Sequence, residues 1–239
     1  MRKIILLTLL GVAATSCSSS IDGEGAATAQ KEYTADNIKD LNVSCNCNVI
    51  LVSGNKSGIK IESHQNIIDN LEVEAKNNAV SIKENSNVDQ YSAYDLYVYV
   101  TRDLEKISVA KQTSLTTSGT LNVDELEMNA KDQTRINQTF LITNNFNLKA
   151  EDQSNIMLEG TAGTMKVKAY GEAKLNLFKY EVNEANFTTD DNALLDINAR
   201  QTLYGSAKGN SIVNFMGDPN KDTKIADRAQ VIKNNRQEK

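Results

Sequence analysis

The chain has no tryptophan, one proline, one histidine and three cysteines among 239 residues, and only 5% of it is aromatic. Each shortage excludes something. A lone histidine, His64, and three thiols cannot furnish a hydrolytic triad or a histidine-rich metal centre. Basic charge is not in excess either: 26 Lys and Arg stand against 31 Asp and Glu, a net of −5. No positive field exists to attract a phosphate backbone, which disfavours nucleic acid as a partner. The only long apolar run lies at the N-terminus, so the chain is not a multi-pass membrane protein. What is present is 40% hydrophobic residues, enough to bury the core of an ordinary domain.

The first sixteen residues read as an export signal. Arg2 and Lys3 form a basic start, Ile4 to Leu10 an apolar stretch too short to span a bilayer, and small residues follow from Gly11 to Ser16. They end at Cys17 in Ala14-Thr15-Ser16-Cys17, which resembles a bacterial lipobox, the site at which a cysteine is acylated and the peptide cut before it. Loss of Arg2 and Lys3 takes the net charge from −5 to −7, so the mature domain is expected to stand off anionic lipid. Ser18 to Gln30 is small and polar, as a flexible tether would be.

Beyond residue 100 the sequence repeats. Val109, Ala130, Ala150, Ala169, Thr189, Ala207 and Ala226 recur every 18 to 21 residues, and six residues after each come Leu115, Ile136, Ile156, Leu175, Leu195, Val213 and Ile232. Apolar positions two apart mark strand faces, not helices. Between them lies a polar pair such as Asp132-Gln133, Asp152-Gln153 or Gly209-Asn210, with Gly or Asp suited to a left-handed corner. A unit of about 20 residues with two strands and a corner cannot bury its own apolar face, but stacked units can. The pattern therefore predicts an all-β fold: a single parallel β-solenoid of about seven such coils. In it, interior columns of like residues and an amide ladder at the second corner position (Gln112, Gln133, Gln153, Glu172, Asn192, Asn210) would run along the rod. Lys224, Gln230 and Asn234 are expected to give it a polar last coil. Domain limits follow: residues 1–16 signal peptide, 17–32 acylated cysteine and tether, 33–232 solenoid, 233–239 polar tail.

Upstream, Leu41 to Val52 closed by Ser53-Gly54, Ile59-Lys60-Ile61-Glu62-Ser63 followed by Asn66, and Tyr97-Val98-Tyr99-Val100-Thr101 before Leu104 are short strands of less regular first coils. With the serial turns and the closing Phe215-Met216-Gly217-Asp218-Pro219, the chain from about Tyr33 to Ile232 resembles the head GIN domain of exported bacterial proteins, labelled a "putative auto-transporter adhesin" domain. The resemblance implies a right-handed parallel β-helix at the cell envelope. It implies no activity and transfers no functional residues.

Candidate chemistry is sparse. His64 is read as a surface residue, and Cys45 and Cys47, on one strand face, as buried small side chains or a disulfide. Asp132 and Asp152 share a corner column and make the nearest approach to a calcium site, with tolerated corner residues as the plainer reading. No metal or cofactor is expected. Tyr97 and Tyr99 lie opposite Leu96, Val98 and Val100; with the apolar face inside, their rings point outward, where they can stack on a sugar or a partner protein unless covered by the N-terminal segment or the loop from Glu84 to Ser92. The expected function is that of a non-enzymatic lipoprotein of the bacterial outer membrane, periplasmic or surface-exposed. Anchored through Cys17, it would offer a glycan or protein a binding or adhesion surface at Tyr97 and Tyr99. The alternative is a polysaccharide-acting lyase or hydrolase-like enzyme that uses a carboxylate-bearing groove and Lys111, Lys131 or Arg135.

Overall fold

The computed structural model describes residues 20–235; the proposed signal peptide and Cys17 lie outside them. Elements in chain order are β1 (Ala29–Thr34), β2 (Asp40–Ser44), β3 (Asn48–Ser53), β4 (Gly58–Ser63), the short helix α1 (Gln65–Asp69), β5 (Leu71–Lys76), β6 (Ala79–Glu84), β7 (Tyr94–Val100), β8 (Lys106–Ala110) and β9 (Ser114–Ser118). There follow β10 (Thr120–Asn122), β11 (Glu125–Ala130), β12 (Arg135–Ala150), β13 (Asn155–Ala169), β14 (Lys174–Thr189), β15 (Leu194–Ala207), β16 (Ile212–Met216), β17 (Asn220–Ile225) and β18 (Gln230–Lys233). From β8 onward every pairing is parallel and joins one coil to the next, which makes the protein a β-solenoid.

Its interior is built from stacked like residues. Val109, Ala130, Ala150, Ala169, Thr189 and Ala207 are register partners in succession, all buried, and Leu115, Ile136, Ile156, Leu175, Leu195 and Val213 form the second column. Alternation does the work: inward positions are apolar and outward ones polar, so each added coil buries its own row against the last. Between the columns, Thr113, Thr134, Ser154 and Ser211 are buried, and the hydroxyls of Thr113, Thr134 and Ser211 donate to the carbonyl three residues earlier at 2.7 Å.

Seven left-handed corners bound six turns: Lys111, Asp132, Asp152, Gly171, Asp191, Gly209 and Asp227 all have φ between 58° and 69°. The Asp residues there do more than tolerate the conformation. Each accepts a hydrogen bond from the backbone N–H of the corner residue one coil back: Lys111 to Asp132 at 2.8 Å, Asp132 to Asp152 at 3.2 Å, Gly171 to Asp191 and Gly209 to Asp227 at 3.0 Å. The predicted amide ladder is formed in part. Gln153 donates to Glu172 at 3.3 Å and Asn210 to Asn192 at 3.0 Å.

Four features differ from the sequence reading. In the last coil the register partners of Ala207 and Val213 are Ile225 and Val231, one residue earlier than the spacing of Ala226 and Ile232 proposed, and the corner is Asp227. Lys224 and Gln230 therefore point outward, and the end of the rod carries Ile225 at 52% exposure instead of a polar column. The first coils also do not stack in chain order. β2 lies between β6 and β8, and β3 between β7 and β9, so the earliest winding is enclosed by later ones. Antiparallel strands close this end: β4 on β7, β1 on β4, and β5 on β6 through the left-handed Asn77-Asn78 turn.

Lastly, the tether expected to reach residue 32 is packed from Ile21 onward. Ile21 bridges to Val88, Asn66 bonds Asp22 and Glu24, and β1 is a full strand. His64, expected at the surface, is buried beneath this segment, where a side chain on Gly23 would collide with its ring. Its Nε2 accepts the Ser92 N–H at 3.2 Å, and its Nδ1 lies 3.3 Å from the Glu24 carbonyl.

The corner ladder makes a direct prediction. Asp132→Asn keeps an oxygen acceptor and a residue type at ease in the left-handed region, and it should leave stability nearly unchanged. Asp132→Val loses both and should cost about 2 kcal/mol in urea unfolding. Wild-type midpoints in both variants would show that the bond from the Lys111 N–H to Asp132 carries no weight.

Candidate binding surface

β7 inserts Tyr94, Leu96, Val98 and Val100 into the core and turns Asp95, Tyr97 and Tyr99 outward, as alternation dictates. Tyr97 is half-buried and Tyr99 is 38% exposed. The four tyrosines close in sequence are thereby split. Tyr94 is fully buried, edge-on to Tyr91 with ring centroids 5.4 Å apart, and its hydroxyl has no hydrogen-bond partner among the described residues. Burial first and the Glu84 carboxylate second hold that hydroxyl far above the ordinary phenol range.

Sequence reasoning missed two members of the outer face. Ile50 and Val52 of β3 are the direct register partners of Tyr97 and Tyr99 and share their side of the sheet. Together the four form an apolar block on the wall of the rod, continued by Thr116 and Ser118 of β9 and bordered on β4 by Lys60, which pairs with Glu62 at 2.7 Å. The signal was present in Val49-Ile50-Leu51-Val52: four consecutive apolar residues on a strand with one interior face must show two of them outside. Partial desolvation first, then the neighbouring Asp95 carboxylate, raises the Tyr97 pKa, so its hydroxyl remains a neutral donor at ordinary pH.

A polar cleft of about 410 Å³ lies where the N-terminal windings meet the first regular corner, lined by Asn46, Glu84, Asn87, Asp89, Lys111 and Asp132 among others. It sets an Asp beside a Lys, as the enzymatic alternative requires, yet these groups are engaged in holding the fold. The Glu84 side chain is 1% exposed; one carboxylate oxygen accepts the Asn46 N–H at 2.9 Å and the other faces Lys111 Nζ at 3.3 Å. Lys111 also donates to Asn87 at 3.1 Å, and Asp132 accepts the Lys111 N–H. Lys131 and Arg135 do not line the cleft. Cys45 and Cys47, both buried with Cα atoms 5.3 Å apart, are joined in a disulfide that holds Asn46 at its edge. Among the described residues no group of three or more His, Cys, Asp or Glu side chains is placed to hold a metal, and the Asp132 and Asp152 carboxylates spend themselves on backbone N–H groups. None of the described helices is long and apolar enough to cross a membrane.

Solved structures share this architecture. A crystal structure of "a putative adhesin" from Bacteroides fragilis superposes with a TM-score of 0.80 at 15% identity, covering 90% of this chain and 99% of that one. A "putative lipid binding protein" from Parabacteroides distasonis gives 0.73 at 14% identity over 90% and 99% of the two chains. A "putative adhesin" from Parabacteroides merdae gives 0.65 at 13% over 90% and 98%. At such identities the likeness establishes the fold. No curated protein matches the chain. The sequence pattern of the family described as "Putative auto-transporter adhesin, head GIN domain" matches residues 37–219, from the approach to β2 to the turn after β16, and the chain belongs to that family.

Proposed function

We propose that this protein is a non-enzymatic, lipid-anchored protein of the outer membrane whose solenoid presents a binding surface for a glycan or protein at the cell envelope. The observation that carries the reading is the outward block of Tyr97, Tyr99, Ile50 and Val52: two rings and two branched aliphatic side chains, aligned side by side by register on the wall of the rod. Flat aromatic faces on a rigid sheet lose little entropy on binding and suit the apolar face of a sugar ring or a partner surface. A solenoid wall cannot flex without breaking its ladder, so the patch is pre-organised. The family description and its adhesin-named neighbours agree with a binding role. The enzymatic alternative has less support, because the cleft that brings Lys111 and Asp132 together ties both into structural bonds.

Anchoring is read from Cys17 alone, at the end of the export signal: a net-acidic domain is repelled by anionic lipid, so acyl chains on that cysteine would be what holds it at a membrane.

Two outcomes follow. On a glycan array, Tyr97→Ala and Tyr99→Ala should each weaken the bound signal about tenfold, the loss of about 1.4 kcal/mol, while thermal unfolding stays unchanged. Undiminished signals in both variants would remove the patch as the site. In cells fed labelled palmitate, the wild-type protein should carry the label and Cys17→Ser should not; label retained by the variant would place the anchor elsewhere.

A further inference from the structure

Cation–carboxylate pairing between neighbouring coils is a recurrent device on this rod. Lys106 pairs with Glu127 at 3.0 Å, Lys179 with Glu159 at 3.3 Å, and Arg200 with Glu181 one coil apart. Such pairing is what an in-register solenoid needs, because parallel stacking sets every outward residue beside its counterpart at about 4.8 Å, and like charges placed so are destabilising.

The outer face of β12 and β13 breaks the rule. Lys149 and Lys168 are direct register partners, and Lys166, two residues before Lys168, stands beside Asn147. Among the described residues no carboxylate lies within ion-pair distance of Lys166 or Lys168, and Lys149 reaches only Glu151 at its own corner, at 2.8 Å. These three ammonium groups, with the amides of Asn129 and Asn147, line a shallow depression of about 260 Å³ in a domain whose net charge is negative. Glu127 at its rim is already committed. It accepts from Asn129 at 2.7 Å and pairs with Lys106, and those two hydrogen bonds hold its carboxyl below the usual range.

We infer that Lys149, Lys166 and Lys168 bind one acidic unit of a carboxylated or sulfated glycan, the anionic group lying across the ammonium groups and the Asn147 amide contacting a ring hydroxyl. The dimensions favour a sugar over a bilayer. The lysines are spaced about 4.8 Å across strands and about 6.6 Å along one, the span of a single residue. A membrane-docking face would need a broad basic field with apolar neighbours, whereas Asn129, Asn147, Asn186 and Thr188 surround this one. The site is separate from the tyrosine block, which lies on the other strand row of the coil.

Titration calorimetry on the full chain, purified in detergent, tests this with a sulfated hexasaccharide, a trigalacturonate, neutral maltohexaose and vesicles containing phosphatidylglycerol. At least one acidic oligosaccharide should bind, with affinity that falls as salt rises, and the neutral sugar should not. Lys166→Gln combined with Lys168→Gln should weaken that binding at least tenfold. Lys179→Gln, which removes a paired lysine elsewhere, and Tyr97→Ala should leave it intact. Failure of both acidic sugars to bind, equal binding by the neutral sugar, an unaffected double variant, or binding to vesicles alone would overturn the assignment. If the tyrosine variants lose array binding while the lysine site fails here, only this inference falls.

Discussion

Register between consecutive coils is the constraint on which the rest of this molecule depends. Backbone hydrogen bonds alone do not set it. Each contributes a net of only about 0.5–1.5 kcal/mol, and a strand shifted by one residue can form as many of them. Such a shift would turn every inward side chain to solvent, at about 1.5–3 kcal/mol for each large apolar residue exposed. The Ala130–Ala150–Ala169 and Ile136–Ile156–Leu175 columns therefore choose the register, and the ladder then fixes it. At the corners the Asp carboxylates add a bond that exists only when the coils are aligned. Differences in coil length are absorbed at the second bend, where the pairing shifts near Thr139, Gly160 and Glu181. There a side chain on Gly160, at φ +129°, would strike the Leu141 carbonyl of the coil before.

Once register is fixed from inside, the outer face becomes a grid whose contents are free to vary. Any residue placed outward is held at known distances from its neighbours on adjacent coils, with no loop to order on binding. The tyrosine–isoleucine–valine block and the lysine cluster, in which Lys166 and Lys168 have no carboxylate partner among the described residues, are both departures from the polar, charge-balanced default of that grid. This is why, among the described residues, they stand out as candidate binding features.

The architecture was legible in the sequence because two periods coexist, two residues along a strand and about twenty along the chain, and both survive in plain sight. Corner geometry was legible for the same reason, since Asp and Gly recur where the backbone turns left-handed. The last coil differs by one residue because Ala226 looks like another column alanine; Asp227, falling where five of the six earlier corners have Asp or Gly, is the better guide. The inserted order of β2 and β3 leaves no local trace, being a choice of neighbours tens of residues apart. The burial of His64 depends in the same way on Gly23 and Ser92. Of the proposed binding surfaces, Tyr97 and Tyr99 could be placed by alternation, while Ile50 and Val52 needed the β3–β7 register to join them, and the lysine cluster needed the alignment of β12 with β13.

Coil stacking can be measured without reference to any ligand. With Cys17→Ser as background, spin labels at Ser108→Cys paired with Thr188→Cys or with Ser206→Cys sit on one outward row, four and five coils apart by register. Dipolar spectroscopy should return backbone separations of about 19 and 24 Å, one strand spacing of about 4.8 Å for each added coil whatever the number of residues between. Separations beyond about 40 Å, or no increase of one strand spacing from the first pair to the second, would contradict the in-register solenoid and both surfaces built on it.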